Sequence, residues 1–350
     1  MNEIVFKIVY KVAILFIMMV PGIILKKTNM ISDGFGKGLS NLVLYIAQPS
    51  LVFLAYVRPY NKEIMINSIY VLIFSVIAHA IFSVVALQVF KKAPDAKARM
   101  LKFVTIFANA AFMGIPLIEA VLEKDYPGST MYASIYNITF NLFLWSLGVN
   151  ICTAGRDINQ DGVDDYKEVS SLKRIENDDE IVKNGSGSIL KAIIHPVTIA
   201  AALGLIFFIL PTEKITLAPA LQTGVDIAYE SLTMLKNLVA PLSMVVIGIR
   251  LADISFKGMF SDKLMYVFLA LRHVALPLVI VGILKLVGVF GLDIHPAVSM
   301  VIVILASTPA ATSATMFAEK FNCDSMYVSK LVSISTIISI ATIPLIMLLV

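Results

Sequence analysis

Ten stretches of about twenty mostly apolar residues follow one another along this chain, at roughly 4–25, 38–57, 64–90, 98–122, 130–151, 189–210, 223–249, 263–288, 295–318 and 326–349. A helix rises about 1.5 Å per residue, so each stretch is long enough to cross a hydrocarbon layer about 30 Å thick. The pattern predicts an all-α polytopic membrane protein with ten transmembrane helices. Composition agrees, with 58% hydrophobic and 15% charged residues and a mean hydropathy of +0.87, whereas a soluble domain carries about one quarter charged residues. The first stretch holds Lys7 and Lys11 inside the run and ends in VPGIIL without a small-x-small cleavage pattern, which reads as a retained span rather than a signal peptide. Cys152 and Cys323 are too few and too separated for a disulfide scaffold or a metal site. Basic residues are scattered between spans, so the pI near 8.8 reflects membrane orientation, and no nucleic-acid partner is indicated.

Lys and Arg collect after the odd-numbered spans: Lys26, Lys27 and Lys37; Lys91, Lys92, Lys97, Arg99 and Lys102; Lys167, Lys173, Arg174 and Lys183; Lys257 and Lys263. The alternate connections offer only Arg58 and Lys62, then Lys124 between two acids, then Lys214. Positive charge marks the cytoplasmic side. The expectation is therefore a multi-pass cell-membrane protein with both termini outside and the loop at 152–187 in the cytoplasm.

That loop is the one long hydrophilic segment, and it separates a five-helix unit at 1–151 from a second at 188–350. Five is odd, so the second unit must run inverted, and two inverted repeats are expected. Asn41-Leu42-Val43 ahead of Pro49-Ser50 is echoed weakly by Asn237-Leu238-Val239 ahead of Pro241-Leu242-Ser243. In the fourth and ninth spans FANAAFMGIPLIEAVLEKD (107–125) parallels LASTPAATSATMFAEKFNCD (305–324). Each has a small, polar, proline-bearing interruption, and each ends in Glu-Lys.

Two broken helices at corresponding places in inverted halves point to a carrier's central site. Their freed N–H groups and positive half-helix ends favour an anion. Asn109, Ser307, Thr308, Thr312 and Ser313 supply side-chain hydrogen bonds, Gly114 admits close backbone approach, and Pro116 and Pro309 remove donors and part the chain. The alternative is ordinary transmembrane Pro and Gly, with hydroxyls bonded back to their own helices.

FANAAFMGIPL, LASTPAATSATMFAEKF and the stretch LRHVALPL in the eighth span together resemble the auxin efflux carrier family, which includes plant PIN-FORMED carriers and bacterial malate and malonate permeases. The resemblance covers nearly the whole chain and is most specific at N-x-x-x-M-G-I-P-L, read as Asn109, Met113, Gly114, Ile115, Pro116 and Leu117. It implies that spans 4 and 9 cross within a mobile transport domain, while spans 1, 2, 6 and 7 form a scaffold that commonly pairs into a homodimer. It also implies elevator-type transport of an organic anion whose carboxylate meets Asn109. Ala108 stands where the plant carriers have proline, and the central loop is far shorter, which favours a small dicarboxylate over an auxin-like substrate.

Other intramembrane polar residues carry two readings each. Arg272, beside His273 in span 8, is expensive in a bilayer and either attracts a substrate carboxylate or clamps carbonyls freed at the crossing. His79 is a candidate proton carrier or a packed, satisfied histidine. Asn137 and Asn141 share one helical face that should look into the protein, and Asn137 falls near a polar cavity residue of the plant carriers. Glu119 is a partner for a cation, a proton site, or a snorkelling acid near the outer end of its span.

DINQDGVDDYKE at 157–168 spells a calcium loop, with Asp157, Asn159, Asp161 and Glu168 at ligand positions and Gly162 at the turn. Asp164 occupies a position where such loops usually carry an aliphatic residue, and no second loop accompanies it. An acidic linker generates such matches, so the expected protein has no cofactor, with calcium as the alternative that titration of a 152–187 peptide would decide.

The chain lacks HExxH, GxSxG, a paired intramembrane Asp and a clustered Cys/His set, so no enzyme is indicated. A channel would need a continuous polar lining, whereas the polar residues gather at the breaks. The reading is a secondary carrier of a small organic anion such as malate, malonate or an auxin-like carboxylate. The alternative is a sodium- or proton-coupled exchanger or symporter of the related crossed-helix architecture.

Overall fold

A computed structural model describes residues 2–32, 34–93, 95–153, 194–210, 218–252, 262–321 and 323–350. The candidate calcium loop at 157–168 lies outside the described residues. Among the described residues the protein is 82% helical with no strand, apart from one isolated antiparallel bridge, Ala108 with Ala310.

Among the described residues, seven helices are long and apolar enough to cross a membrane: α1 (Phe6–Lys27), α2 (Phe35–Tyr56), α3 (Lys62–Val89), α6 (Ser129–Thr153), α8 (Pro219–Ala252), α9 (Lys263–Val289) and α12 (Ser325–Met347). Between them lie shorter helices, α4 (Asp95–Ile106), α5 (Ala110–Val121), α7 (Pro196–Ile209), α10 (Pro296–Ser307) and α11 (Ser313–Lys320). The sequence stretch at 98–122 is thus split into α4 and α5, and that at 295–318 into α10 and α11. Helix starts are marked by local chemistry. Asn61 accepts from the N–H groups of Glu63 and Ile64 at the head of α3, Asp262 caps α9 and Asp324 caps α12, each satisfying N–H groups that a first turn leaves open.

Proline shapes the spans from within. A one-turn π segment ends two residues before a proline three times: Val43–Ala47 before Pro49, Ala110–Gly114 before Pro116, and Leu271–Ala275 before Pro277. Proline has no N–H and crowds the carbonyl one turn earlier, and a widened turn relieves both.

Packing sorts the helices into two groups. α1, α2, α7 and α8 pack on one another, with α2 lying along both α7 and α8. Gly22 and Gly248 let α1 and α8 meet backbone to backbone, since a methyl at either would run into the carbonyl oxygen of Val245 or Met19. The other group joins α3, α4, α6, α9, α10, α11 and α12. Helix α5 sits at the seam, touching α6 and α10 on one side and α1 and α8 on the other.

Candidate functional site

The two broken spans cross where α4 gives way to α5 and α10 to α11. The Asn109 N–H donates to the Pro309 carbonyl at 2.7 Å, and the Ala311 N–H donates to the Phe107 carbonyl at 2.9 Å. These bonds knit the two unwound segments into the antiparallel bridge and satisfy backbone groups that hydrocarbon would leave bare.

Arg272, fully buried in the π segment of α9, closes the crossing from one side. Its Nε and Nη2 donate to the Thr308 carbonyl at 3.1 and 2.7 Å, and Nη1 donates to the Thr105 carbonyl at 3.3 Å. These carbonyls belong to the C-terminal ends of α10 and α4, where helix dipoles are negative. The Phe82 ring lies 5.4 Å beneath the guanidinium and adds a cation–π contact. Of the two sequence readings of Arg272, the carbonyl clamp is the geometry present.

His273, which sequence reasoning passed over as a site residue, closes the other side. The Ala310 N–H donates to Ser335 Oγ at 2.9 Å, and Ser335 Oγ lies 2.8 Å from His273 Nε2. His273 Nδ1 faces Thr342 Oγ1 at 3.1 Å, and that hydroxyl donates onward to the Ile338 carbonyl at 3.3 Å. Because Thr342 has given its hydrogen away, it accepts from Nδ1–H, so Nε2 is the acceptor and Ser335 donates to it. The only trace of this in the sequence is the hydroxyl-rich run SISTIISIAT in α12.

Two further side chains reach the crossing from the α1, α2, α7 and α8 group. Gln48 Nε2 donates to the Ala111 carbonyl at 3.2 Å, and Arg250 Nη1 donates to the Thr312 carbonyl at 2.9 Å. One comes from α2 and the other from α8, and they hold the starts of α5 and α11 respectively. A glutamine-proline pair in mid-span was the available signal for the first.

The expected anion-site residues are brought together only in part. Asn109, Ser307, Thr308 and Thr312 converge and are at most 2% exposed. Thr312 Oγ1 donates to Asn109 Oδ1 at 3.4 Å, while Asn109 Nδ2 and Ser307 Oγ are buried without a partner among the described residues. Pro309 contributes its carbonyl to the bridge, and Pro116 is buried in the first turn of α5 beyond its π segment. Gly114 lines no opening: a methyl there would strike the Leu305 side chain, so the glycine seats α5 against α10. Asn137 and Asn141 are both buried in α6, and Asn137 Oδ1 also lacks a partner among the described residues.

His79 stands in an aromatic box, with ring centres of Tyr136 and Phe143 at 5.0 and 5.2 Å. Its Nδ1 faces the Ser75 carbonyl at 2.7 Å, which makes Nδ1 the protonated nitrogen and leaves Nε2 without a partner among the described residues. Glu119 lies away from the crossing and pairs with Lys236 at 2.6 Å. A cavity of about 320 Å³ is also remote, lined by Lys285, Gly288, Asp293 and Val303 at the end of α9.

Compared with known protein families, residues 7–347 match the family described as membrane transport protein. No curated protein matches the chain.

Proposed function

The chain belongs to the membrane transport protein family, the family of the auxin efflux carriers, and on that premise we propose that it is a secondary carrier of a small organic anion bound at the crossing. The protein is a multi-pass membrane transporter; the ligand, its site and the mechanism are the proposal. The observation that carries it is Asn109 Nδ2, a donor buried without a partner among the described residues at the start of α5. A buried donor left unpaired costs about 1–3 kcal/mol, and a carboxylate oxygen would satisfy it. Ser307 Oγ at the end of α10 is open in the same way among the described residues, and the first N–H groups of α5 and α11 favour negative charge.

Ten spans in two inverted repeats, 1–151 and 188–350 around the loop at 152–187, are the architecture supported by the paired breaks. The two tethers, Gln48 to Ala111 and Arg250 to Thr312, relate the halves in the same way. We assign the Lys97 end of the molecule to the cytoplasm and the Glu123 end to the outside. Transport then proceeds by an elevator-like shift of the α3, α4–α6 and α9–α12 group against the α1, α2, α7 and α8 group, which carries the homodimer contact. Malate, malonate and auxin-like carboxylates are the ligands to test.

A second reading, a sodium- or proton-coupled exchanger, draws on Gln48 Oε1, Asn137 Oδ1 and His79 Nε2, acceptors without a partner among the described residues. A thermal-shift screen of the purified protein against malate, malonate, succinate, citrate and indole-3-acetate, with sodium and pH varied, separates the two. A ligand of the folded state raises its stability by mass action. Stabilisation by a carboxylate that disappears in Asn109→Ala is the expected result. Stabilisation by sodium alone, with no carboxylate effect, would transfer the site to a cation.

A further inference from the structure

Seven residues running off the far end of α5, from Glu119 to Asp125, carry three carboxylates, and each is paired with a cation on, or just past, a different helix of the α1, α2, α7 and α8 group. Glu119 meets Lys236 of α8 at 2.6 Å. Glu123 meets Arg58, just past the end of α2, at 2.6 Å. Asp125 meets Lys7 of α1 at 2.9 Å. The middle pair is the most firmly built, because Glu123 also accepts from the Gly128 N–H at 3.0 Å and the Thr130 N–H at 2.7 Å, while Arg58 Nε donates to the Ala55 carbonyl at 2.9 Å.

We infer that these three pairs form an electrostatic latch that holds α5 against α1, α2 and α8 at the Glu123 end and so shuts the crossing from that side. The inference rests on the carrier reading only for its consequence, that opening this end requires all three pairs to part. Three observations support it. The pairs bridge the two packing groups, whereas Lys97 and Asp262, paired at 2.9 Å, tie α4 to the head of α9 within one group. The crossing residues beneath are sealed, with Asn109, Ser307 and Thr312 at most 2% exposed. The pair members are themselves only half-buried, at 19–40% side-chain exposure, so water can take over the charges when the pairs part, at little cost in desolvation. Deeply buried pairs would make a weld; partly wet ones make a catch that opens.

The test measures the distance across the seam in the full-length protein in nanodiscs. Spin labels go on cysteines replacing Lys124 and Met234, both exposed, with Cys152 and Cys323 changed to alanine. The latched chain should give one short distance by double electron–electron resonance. Neutralising the three acids together, in Glu119→Gln/Glu123→Gln/Asp125→Asn, should raise a longer-distance population about tenfold, the product of three wet pairs of ordinary strength. Raising salt to about 1 M, where the screening length falls to about 3 Å, should act in the same direction. An unchanged distance distribution in the triple variant overturns the latch. Should that variant not be monodisperse, Lys236→Glu must open the seam and Glu119→Lys/Lys236→Glu must close it again; equal distances in the two overturn it as well. No ligand is needed, so a moving seam with no carboxylate binding would sink the anion site and leave the latch, and the reverse would sink the latch alone.

Discussion

Arg272→Met should be among the most damaging single substitutions in the protein, and Arg272→Lys should fall between it and wild type. The guanidinium makes three hydrogen bonds to two carbonyls, 2.7 to 3.3 Å long, in a fully buried site. Bonds from a charged donor contribute about 1.5–3 kcal/mol each, and a buried acceptor left bare costs about 1–3 kcal/mol. Against this, methionine removes the cost of keeping a charge away from water, so the net loss is closer to the about 3–5 kcal/mol seen when one side of a buried charged contact is deleted. Lysine keeps the charge, but a single ammonium cannot fork across the ends of α4 and α10, and losing one bond costs about 1–3 kcal/mol. Unfolding free energies from steric trapping in bicelles, measured beside carboxylate thermal shifts, give the answer. A loss under about 1 kcal/mol for Arg272→Met would refute the clamp. So would full stability in Arg272→Lys with carboxylate binding abolished, which would turn the side chain towards substrate.

Three further outcomes follow from the same geometry. Gly114→Ala should destabilise by about 1–3 kcal/mol through overpacking against Leu305, and Leu305→Ala in the same chain should make the added methyl harmless; equal costs in both backgrounds would remove that contact. Ser335→Ala strips the Ala310 N–H and His273 Nε2 of their shared partner and should cost about 1–3 kcal/mol, with Ser335→Thr restoring most of it in the same assay. Burial alone would raise the Glu123 carboxyl, but the charge and hydrogen bonds of Arg58 and the N–H groups of Thr130 and Gly128 outweigh it and hold Glu123 below the ordinary value of 4.5. A depressed folded-state value means its stabilisation is complete above the unfolded value and lost as pH falls through the folded one. Acid titration of unfolding should therefore show a shallower loss below pH 4.5 in Glu123→Gln than in wild type, and identical slopes would deny the pairing.

The membrane, the long spans and the places where two of them break were written along the chain. Hydrophobic length, and a proline or glycine in mid-helix, act over a turn or two, and their consequences are the same whatever packs around them. Pro49, Pro116 and Pro277 even mark three of the widened turns, though the one at Leu144–Gly148 has no proline after it. Partner choice is a different kind of property. Gly114 reads in one dimension as room for a ligand and in three as a seat for Leu305. Arg272 had two roles open until the ends of α4 and α10, 167 and 36 residues away in sequence, were brought within its reach. Glu119 became an ion-pair residue only when Lys236 arrived beside it. His273 and Ser335 were not legible as a pair, because a histidine and a serine on separate apolar helices announce nothing until Ser335 accepts the stray N–H of Ala310 and passes its own hydrogen to His273. Local sequence decides where the backbone must come apart; only the packed structure decides which distant groups satisfy what the break exposes, because a hydrogen bond depends on a few ångströms of distance and angle that spacing along a chain does not encode.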